Sequence, residues 1–133
     1  MVLLIIVELA SFSFVSDFDL TKKLIMAKVT VLFHGFSRLN ETKTKMFANC
    51  TCSLIQSQNL NIIVDTMTPW DKDILVQALK DRLNLTPDDI HYVICTHGHS
   101  DHVGNNNLFT KATLVFGQSV SKGTEYDLEG EQN

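Results

Sequence analysis

Cysteine is scarce in this 133-residue chain, with three in all, Cys50, Cys52 and Cys95. An odd and sparse set does not read as a disulfide framework. All three are expected as small buried hydrophobes, and a reducing compartment, the cytosol with the nucleus as a further option, is favoured over secretion. Proline occurs only twice, no Pro/Gly-rich linker divides the chain, and its length suits a single domain with a modest core. Long apolar runs are also missing. MVLLIIV is interrupted by Glu8, is too short to span a bilayer and lacks the basic residues that open a signal peptide. Residues 1–25 are therefore expected to be an apolar leader or a gene-prediction extension before Met26. Basic excess is absent too: Lys plus Arg number 11 against 15 Asp plus Glu, a net charge of −4. The whole imbalance sits in TEYDLEGEQN, which carries Glu125, Asp127, Glu129 and Glu131 without a base. Residues 124–133 are expected as a solvated, frayed tail, leaving residues 26–123 as the folded part. Without a basic stripe, composition lends no support to nucleic-acid binding.

Within 26–123 the apolar runs outline the elements. KVTVLF (28–33) reads as a strand and SRLNETKTK (37–45) as a polar loop. FANCTCSLIQS (47–57) reads as one strand with Cys50 and Cys52 on the same face, joined by a polar turn to NIIVDT (61–66) as a hairpin. TPWDKDILVQALKDRL is the clearest helix. Thr68 suits the cap, Pro69 the first helical position and Asp71 the third, beside the positive helix end. Ile74, Leu75, Ala78, Leu79 and Leu83 follow on one apolar face. Thr86-Pro87-Asp88-Asp89 repeats that start signal for a short helical turn. IHYVIC (90–95) is a buried strand, helical chemistry resumes near Asp101, and ATLVF (112–116) is a further strand. The fold class is α/β.

The chain has five histidines, and three of them stand in CTHGHSDHVG directly after a buried strand. His97 and His99 differ by two, so in an extended loop their rings project to one side and can share a metal ion. Asp101 and His102 follow where the backbone turns into a helix and are expected to point elsewhere, toward a second ion roughly 3.5–4 Å from the first. Imidazole with carboxylate suits Zn²⁺, or Fe and Mn less selectively. Gly98 is expected to leave room for the two rings, and Gly104 to let the new helix approach the sheet. Packing alone gives no reason to gather four polar groups at one strand end, because burying them unpaired costs kilocalories each. His34 and His91, which stand alone, are read as ordinary core or surface residues.

THGHSDH closely resembles the signature of the metallo-β-lactamase superfamily, and IIVDT resembles its first motif. The resemblance implies the N-terminal half of an αββα sandwich and a two-zinc hydrolase. It implies His97 and His99 as ligands of one ion, and Asp101 and His102 as ligands of the other. Asp101 also acts in catalysis in that scheme, and Asp65 orients the histidine loop by hydrogen bonding. VTVLFHGFS, CTCSLI, VDTMTPWD and CTHGHSDHVGNNNLF are similar to an animal group of the superfamily over residues 28–126. That group is described as zinc ribonucleases acting on histone pre-mRNA 3′ ends, which implies RNA as a partner. Thioester hydrolysis of the glyoxalase type is the older analogy. The superfamily completes its sites with a third histidine, a bridging aspartate and a final histidine further downstream. No histidine follows His102 and no cysteine follows Cys95. The chain is therefore expected to be truncated, to bind zinc weakly and to turn over little or nothing alone. A catalytically dead short product that acts only by binding is a further option. Composition leaves the oligomeric state open, a homodimer included.

Overall fold

The computed structural model describes residues 26–127, so the expectations for 1–25 and for 128–133 lie outside the described residues. Nine strands form two sheets: β1 (Ala27–Phe33), β2 (Phe36–Leu39), β3 (Met46–Asn49), β4 (Cys52–Ser57), β5 (Leu60–Val64), β6 (Tyr92–Cys95), β7 (Thr113–Phe116), β8 (Ser119–Lys122) and β9 (Glu125–Asp127). The helices are α1 (Lys72–Leu83) and the single turn α2 (Ser100–Val103). Seven strands make one sheet in the order β1-β4-β5-β6-β7-β8-β9, and β2-β3 stand apart as a hairpin. Strands β5, β6 and β7 run parallel, while both flanks of the sheet are antiparallel. Each parallel step needs a crossover. α1 supplies the first, and α2 with its following 3-10 turn supplies the second.

α1 begins as predicted, through one turn of 3-10 helix at Pro69–Asp71. The Asp71 carboxylate accepts the Thr68 amide at 3.1 Å and the Thr68 hydroxyl at 2.5 Å. Asn84 ends the helix in the left-handed conformation, φ 54°, which asparagine tolerates better than most residues. Leu75 and Leu79, one turn apart, are fully buried and pack with Leu32, Leu54, Ile63 and Val93 against one face of the sheet. Ile74 departs from the expectation and is 50% exposed. One residue before Leu75, it is rotated about 100° off the buried seam. A smaller cluster of Ile55, Ile62, Ile94 and Val115 lies on alternate strand positions and so on the opposite face.

Three further expectations are corrected. Residues 47–57 are two strands belonging to different sheets, broken at Cys50 and Thr51. The Thr51 hydroxyl accepts the Gly35 amide there at 2.9 Å, and a Cβ on Gly35 would stand 2.7 Å from the Thr51 nitrogen. The chain thus crosses itself where it changes sheet. Residues 37–45 are no plain loop, because Phe36–Leu39 pairs with Met46–Asn49. Asn40 closes that turn by accepting the amides of Thr44 and Lys45 at 2.8 and 3.0 Å. Glu125–Asp127, expected in the frayed tail, pairs with Val120–Lys122. All three cysteines are buried and free, as expected.

Candidate metal centre

Strands β5 and β6 end side by side, and the polar residues collect beyond their carboxyl ends, where parallel sheets place ligands. Asp65 follows β5 and Thr96 follows β6. Asp65 adopts the left-handed conformation (φ 58°), as does Met67 (φ 62°). The reversal is held by backbone bonds from the Asp65 amide to Ile94 and from the Thr66 amide to His102, both 2.9 Å. The Asp65 side chain is thereby turned under the histidine loop and buried, with 4% exposed. One of its oxygens, Oδ1, accepts the Thr96 amide at 2.8 Å, and the Thr96 hydroxyl reaches Oδ2 at 2.9 Å. The same Oδ2 lies 2.8 Å from His102 Nδ1. This contact leaves His102 Nε2 turned outward, 3.6 Å from the Asp101 carboxylate.

The remaining rings gather on His97. His97 Nε2 is 3.0 Å from His99 Nδ1, and the two rings stand edge-on at 76° with centroids 4.5 Å apart. The His102 ring lies tilted against His97 with centroids 3.9 Å apart, while its two nitrogens face Asp65 and Asp101. The reason is α2. A single helical turn from Ser100 carries His102 back over the loop, with the His102 amide bonded to the His99 carbonyl at 2.9 Å. Gly98 also serves differently from the expectation. A Cβ there would meet the Phe116 ring at 3.2 Å, so the absent side chain makes room for β7, not for the imidazoles. Gly104 is needed for close approach, since a Cβ would stand 2.5 Å from the Met67 oxygen and from Pro69. His34 is exposed and away from this cluster, and His91 Nδ1 accepts the Asn61 amide at 3.1 Å.

Four supporting residues escape a reading of the sequence alone. Thr96 links Asp65 to two of the histidines, with its hydroxyl 3.1 Å from His97 Nδ1 and 3.1 Å from His102 Nδ1. Asn105 is buried and donates to the carbonyls of Thr66 and Thr68 at 2.7 and 2.6 Å. Asn106 accepts the Thr66 hydroxyl at 2.7 Å and donates to Cys95 Sγ at 3.2 Å. The available signal for both asparagines is the polar run 105–107 directly after Gly104. Cys50, at the break between β3 and β4, lies with Asp65 and His102 in a group whose ligand atoms are all within 4.8 Å of one another. Burial pushes the Cys50 thiol up to about 11; the Met67 amide opposes the shift, and the Asp65 and Asp101 carboxylates add to it.

The donor set fits a divalent cation. The loop presents two donor pairs: His97 Nε2 and His99 Nδ1 face each other at 3.0 Å, and His102 Nε2 stands 3.6 Å from the Asp101 carboxylate. Among the described residues the donor group of three gathered within 4.8 Å is Cys50, Asp65 and His102. Two nitrogens on one tetrahedral ion at about 2.0–2.1 Å would be about 3.3 Å apart. A 3.0 Å pair therefore needs to open by only a few tenths of an ångström. Among the described residues no buried side-chain nitrogen or oxygen lacks a hydrogen-bond partner, so the fit rests on donor chemistry and spacing.

The metallo-beta-lactamase superfamily profile matches residues 47–115, from β3 through most of β7. Metallo-beta-lactamase domain-containing protein 1 of Xenopus laevis is 40% identical over 99 residues, covering 74% of this chain and 41% of that one. A protein of Methanocaldococcus jannaschii named as a metallo-hydrolase is 49% identical over 53 residues, covering 40% of this chain and 26% of its own. Among solved structures, a Thermotoga maritima protein assigned to the metallo-beta-lactamases superposes with a TM-score of 0.53. It is 26% identical and covers 66% of this chain and 42% of that one. The chain spans about two fifths of the length of the Xenopus relative. A profile match over more than half of the residues, running through the strand ends that carry Asp65 and the histidine loop, shows that the chain belongs to the metallo-β-lactamase superfamily of hydrolases.

Proposed function

We propose that this protein is the metal-bearing part of a zinc-dependent hydrolase, with His97 and His99 as ligands of one ion and Asp101 and His102 as ligands of a second. The observation that supports it most is the orientation of His102. Asp65 holds its Nδ1 at 2.8 Å and leaves Nε2 outward beside Asp101, the arrangement by which a carboxylate fixes the tautomer of a ligating histidine. A bound divalent ion supplies polarisation of the scissile bond and water acidic enough to react near neutral pH. Fe or Mn would serve the same donors less selectively.

The chain's own groups divide the remaining work. Asp65 and Thr96 lock the loop from below through the Thr96 amide and hydroxyl. His97 and His99 present facing nitrogens on one side of the loop. The Asp101 side chain is partly exposed beside His102, where its carboxylate would orient the attacking water. With these donors alone an ion keeps much of its water, so zinc binding by the 133 residues is weak and turnover low. Within hydrolysis, the finer reading is an endoribonuclease acting on histone pre-mRNA 3′ ends, which rests on the animal group that the sequence resembles. Thioester hydrolysis is the alternative. Among the described residues no helix is long and apolar enough to cross a membrane.

The test uses the longest product of the gene, loaded with zinc and given an RNA substrate and a thioester in parallel. His97→Ala or Asp101→Ala is expected to abolish hydrolysis of whichever substrate reacts, with an unchanged far-ultraviolet circular dichroism spectrum. Full activity in either variant removes the assignment.

A further inference from the structure

Cys50 has no part in the scheme above, yet it is placed against it. It is 3% exposed and lies where the chain leaves the β2–β3 hairpin for the main sheet. Its sulfur, the Asp65 carboxylate and a His102 nitrogen fall within 4.8 Å of one another. The Met67 amide faces the sulfur, delivered by the left-handed turn at Asp65 and Met67. Asp65 accepts the Thr96 amide on Oδ1, while Oδ2, next to His102 Nδ1, accepts the Thr96 hydroxyl at 2.9 Å. That hydroxyl also lies 3.1 Å from Oδ1 and can turn to it, which frees Oδ2 for a cation. Thiolate, imidazole and carboxylate form a donor set that prefers zinc, cobalt or cadmium to calcium or magnesium.

We propose that Cys50, Asp65 and His102 form an inner, thiolate-containing site for a thiophilic divalent cation beneath the histidine loop. On binding, the Cys50 thiol releases its proton to solvent. The ring proton of His102 moves from Nδ1 to Nε2, and Nδ1 takes the cation. Two ligands on one tetrahedral ion stand about 3.3 Å apart, so the 2.8 Å contact between His102 and Asp65 opens by about half an ångström. The inner site uses the edge of the His102 ring opposite to the one the hydrolase reading needs. It therefore stands independently of that reading and competes with it for His102.

Cobalt(II) titration of the reduced 133-residue chain tests this. The unmodified chain is expected to develop a near-ultraviolet sulfur-to-cobalt charge-transfer band. The band is lost in Cys50→Ser, and kept in Cys52→Ser, in Cys95→Ser and in the double variant His97→Ala/His99→Ala. Cobalt bound without a sulfur band, or a band that survives Cys50→Ser, overturns the inner site. The hydrolase reading fails separately if the double variant binds as much cobalt as the unmodified chain. Should Cys50→Ser not fold, the cadmium-113 resonance of the unmodified chain and of the other two serine variants decides. A deshielded, one-thiolate shift in all three supports the site, and a shift typical of nitrogen and oxygen ligands alone overturns it.

Discussion

At the scale of single residues, the loop is positioned by steric exclusion as much as by attraction. Gly104 joins α2 to the turn before α1, and its amide bonds to the Met67 carbonyl at 3.0 Å. With that oxygen and Pro69 at 2.5 Å from an added Cβ, Gly104→Ala must push α2 away from the Asp65–Met67 turn. The expected loss is about 1–3 kcal/mol, read as a lower urea midpoint. The same displacement loosens the contact between His102 and Asp65, so zinc affinity should fall as well. Buried thiols give a second residue-scale expectation. Burial raises the Cys52 pKa above its ordinary value of 9.0, with Cys50 and Asp65 adding to the shift. Above pH 9 the unfolded chain loses this proton while the folded chain keeps it, so the folded state binds more protons. Stability is then full below pH 9 and declines as pH rises, by about 1.4 kcal/mol per pH unit for one such thiol. Urea unfolding from pH 7 to 10.5 should show a decline to which the buried Cys50 and Cys95 thiols, also raised by burial, contribute. Cys52→Ala should remove its own share, about 1.4 kcal/mol per pH unit above pH 9, even though the variant starts from a lower stability. A slope unchanged in Cys52→Ala would place the alkaline titration elsewhere.

At the scale of elements, α1 does more than cover the sheet. Arg82 reaches from its last turn to edge strand β1 and donates to the carbonyls of Leu32 and Val31 at 2.6 and 2.9 Å. These carbonyls lie at the irregularity where the β1–β4 register shifts between Val31 and Phe33. Arg82→Ala leaves both without their charged donor, and about 1–2 kcal/mol of stability should be lost. Lysine cannot span the pair, so Arg82→Lys should recover less than half of that loss in the same denaturation experiment. Nothing in the spacing of residues 27–33 and 82 announces this contact, because the sequence separates its partners by some fifty positions. What local chemistry controls was legible. The cap at Thr68, the turn at Pro87, the strand over 28–33 and the buried run before His97 all follow from signals a few residues long. The break at Cys50 was not, since NCTC continues the alternation of a strand and only the Gly35–Thr51 crossing interrupts it. The β2 strand was hidden because all four of its residues are exposed, leaving no apolar alternation to read. The histidine spacing made the loop visible, but the placement of His102 over His97 required the turn of α2. Thr96, Asn105 and Cys50 became partners only when β5 and β6 brought their ends together.

At the scale of the whole molecule, the polar cluster is the seam between the two crossovers. Asp65 closes β5, Thr96 closes β6, α2 leads toward β7, and Asn105 and Asn106 tie α2 back to Thr66. An ion held by His97 and His99, as proposed, would brace a loop tied to the ends of both parallel strands, and cation binding should then appear as global stability. Linkage sets the size. A dissociation constant near ~100 µM with ~1 mM free zinc adds about 1.4 kcal/mol, enough to move the thermal midpoint measurably for a domain of this length. The measurement is best made on the Cys50→Ser background, which removes the inner thiolate site. There, zinc should raise the midpoint, a chelator should return it, and His97→Ala/His99→Ala should cancel most of the gain. If zinc stabilised the double variant as strongly, the imidazoles of the loop would not be the ligands and the brace would have to be sought elsewhere in the fold.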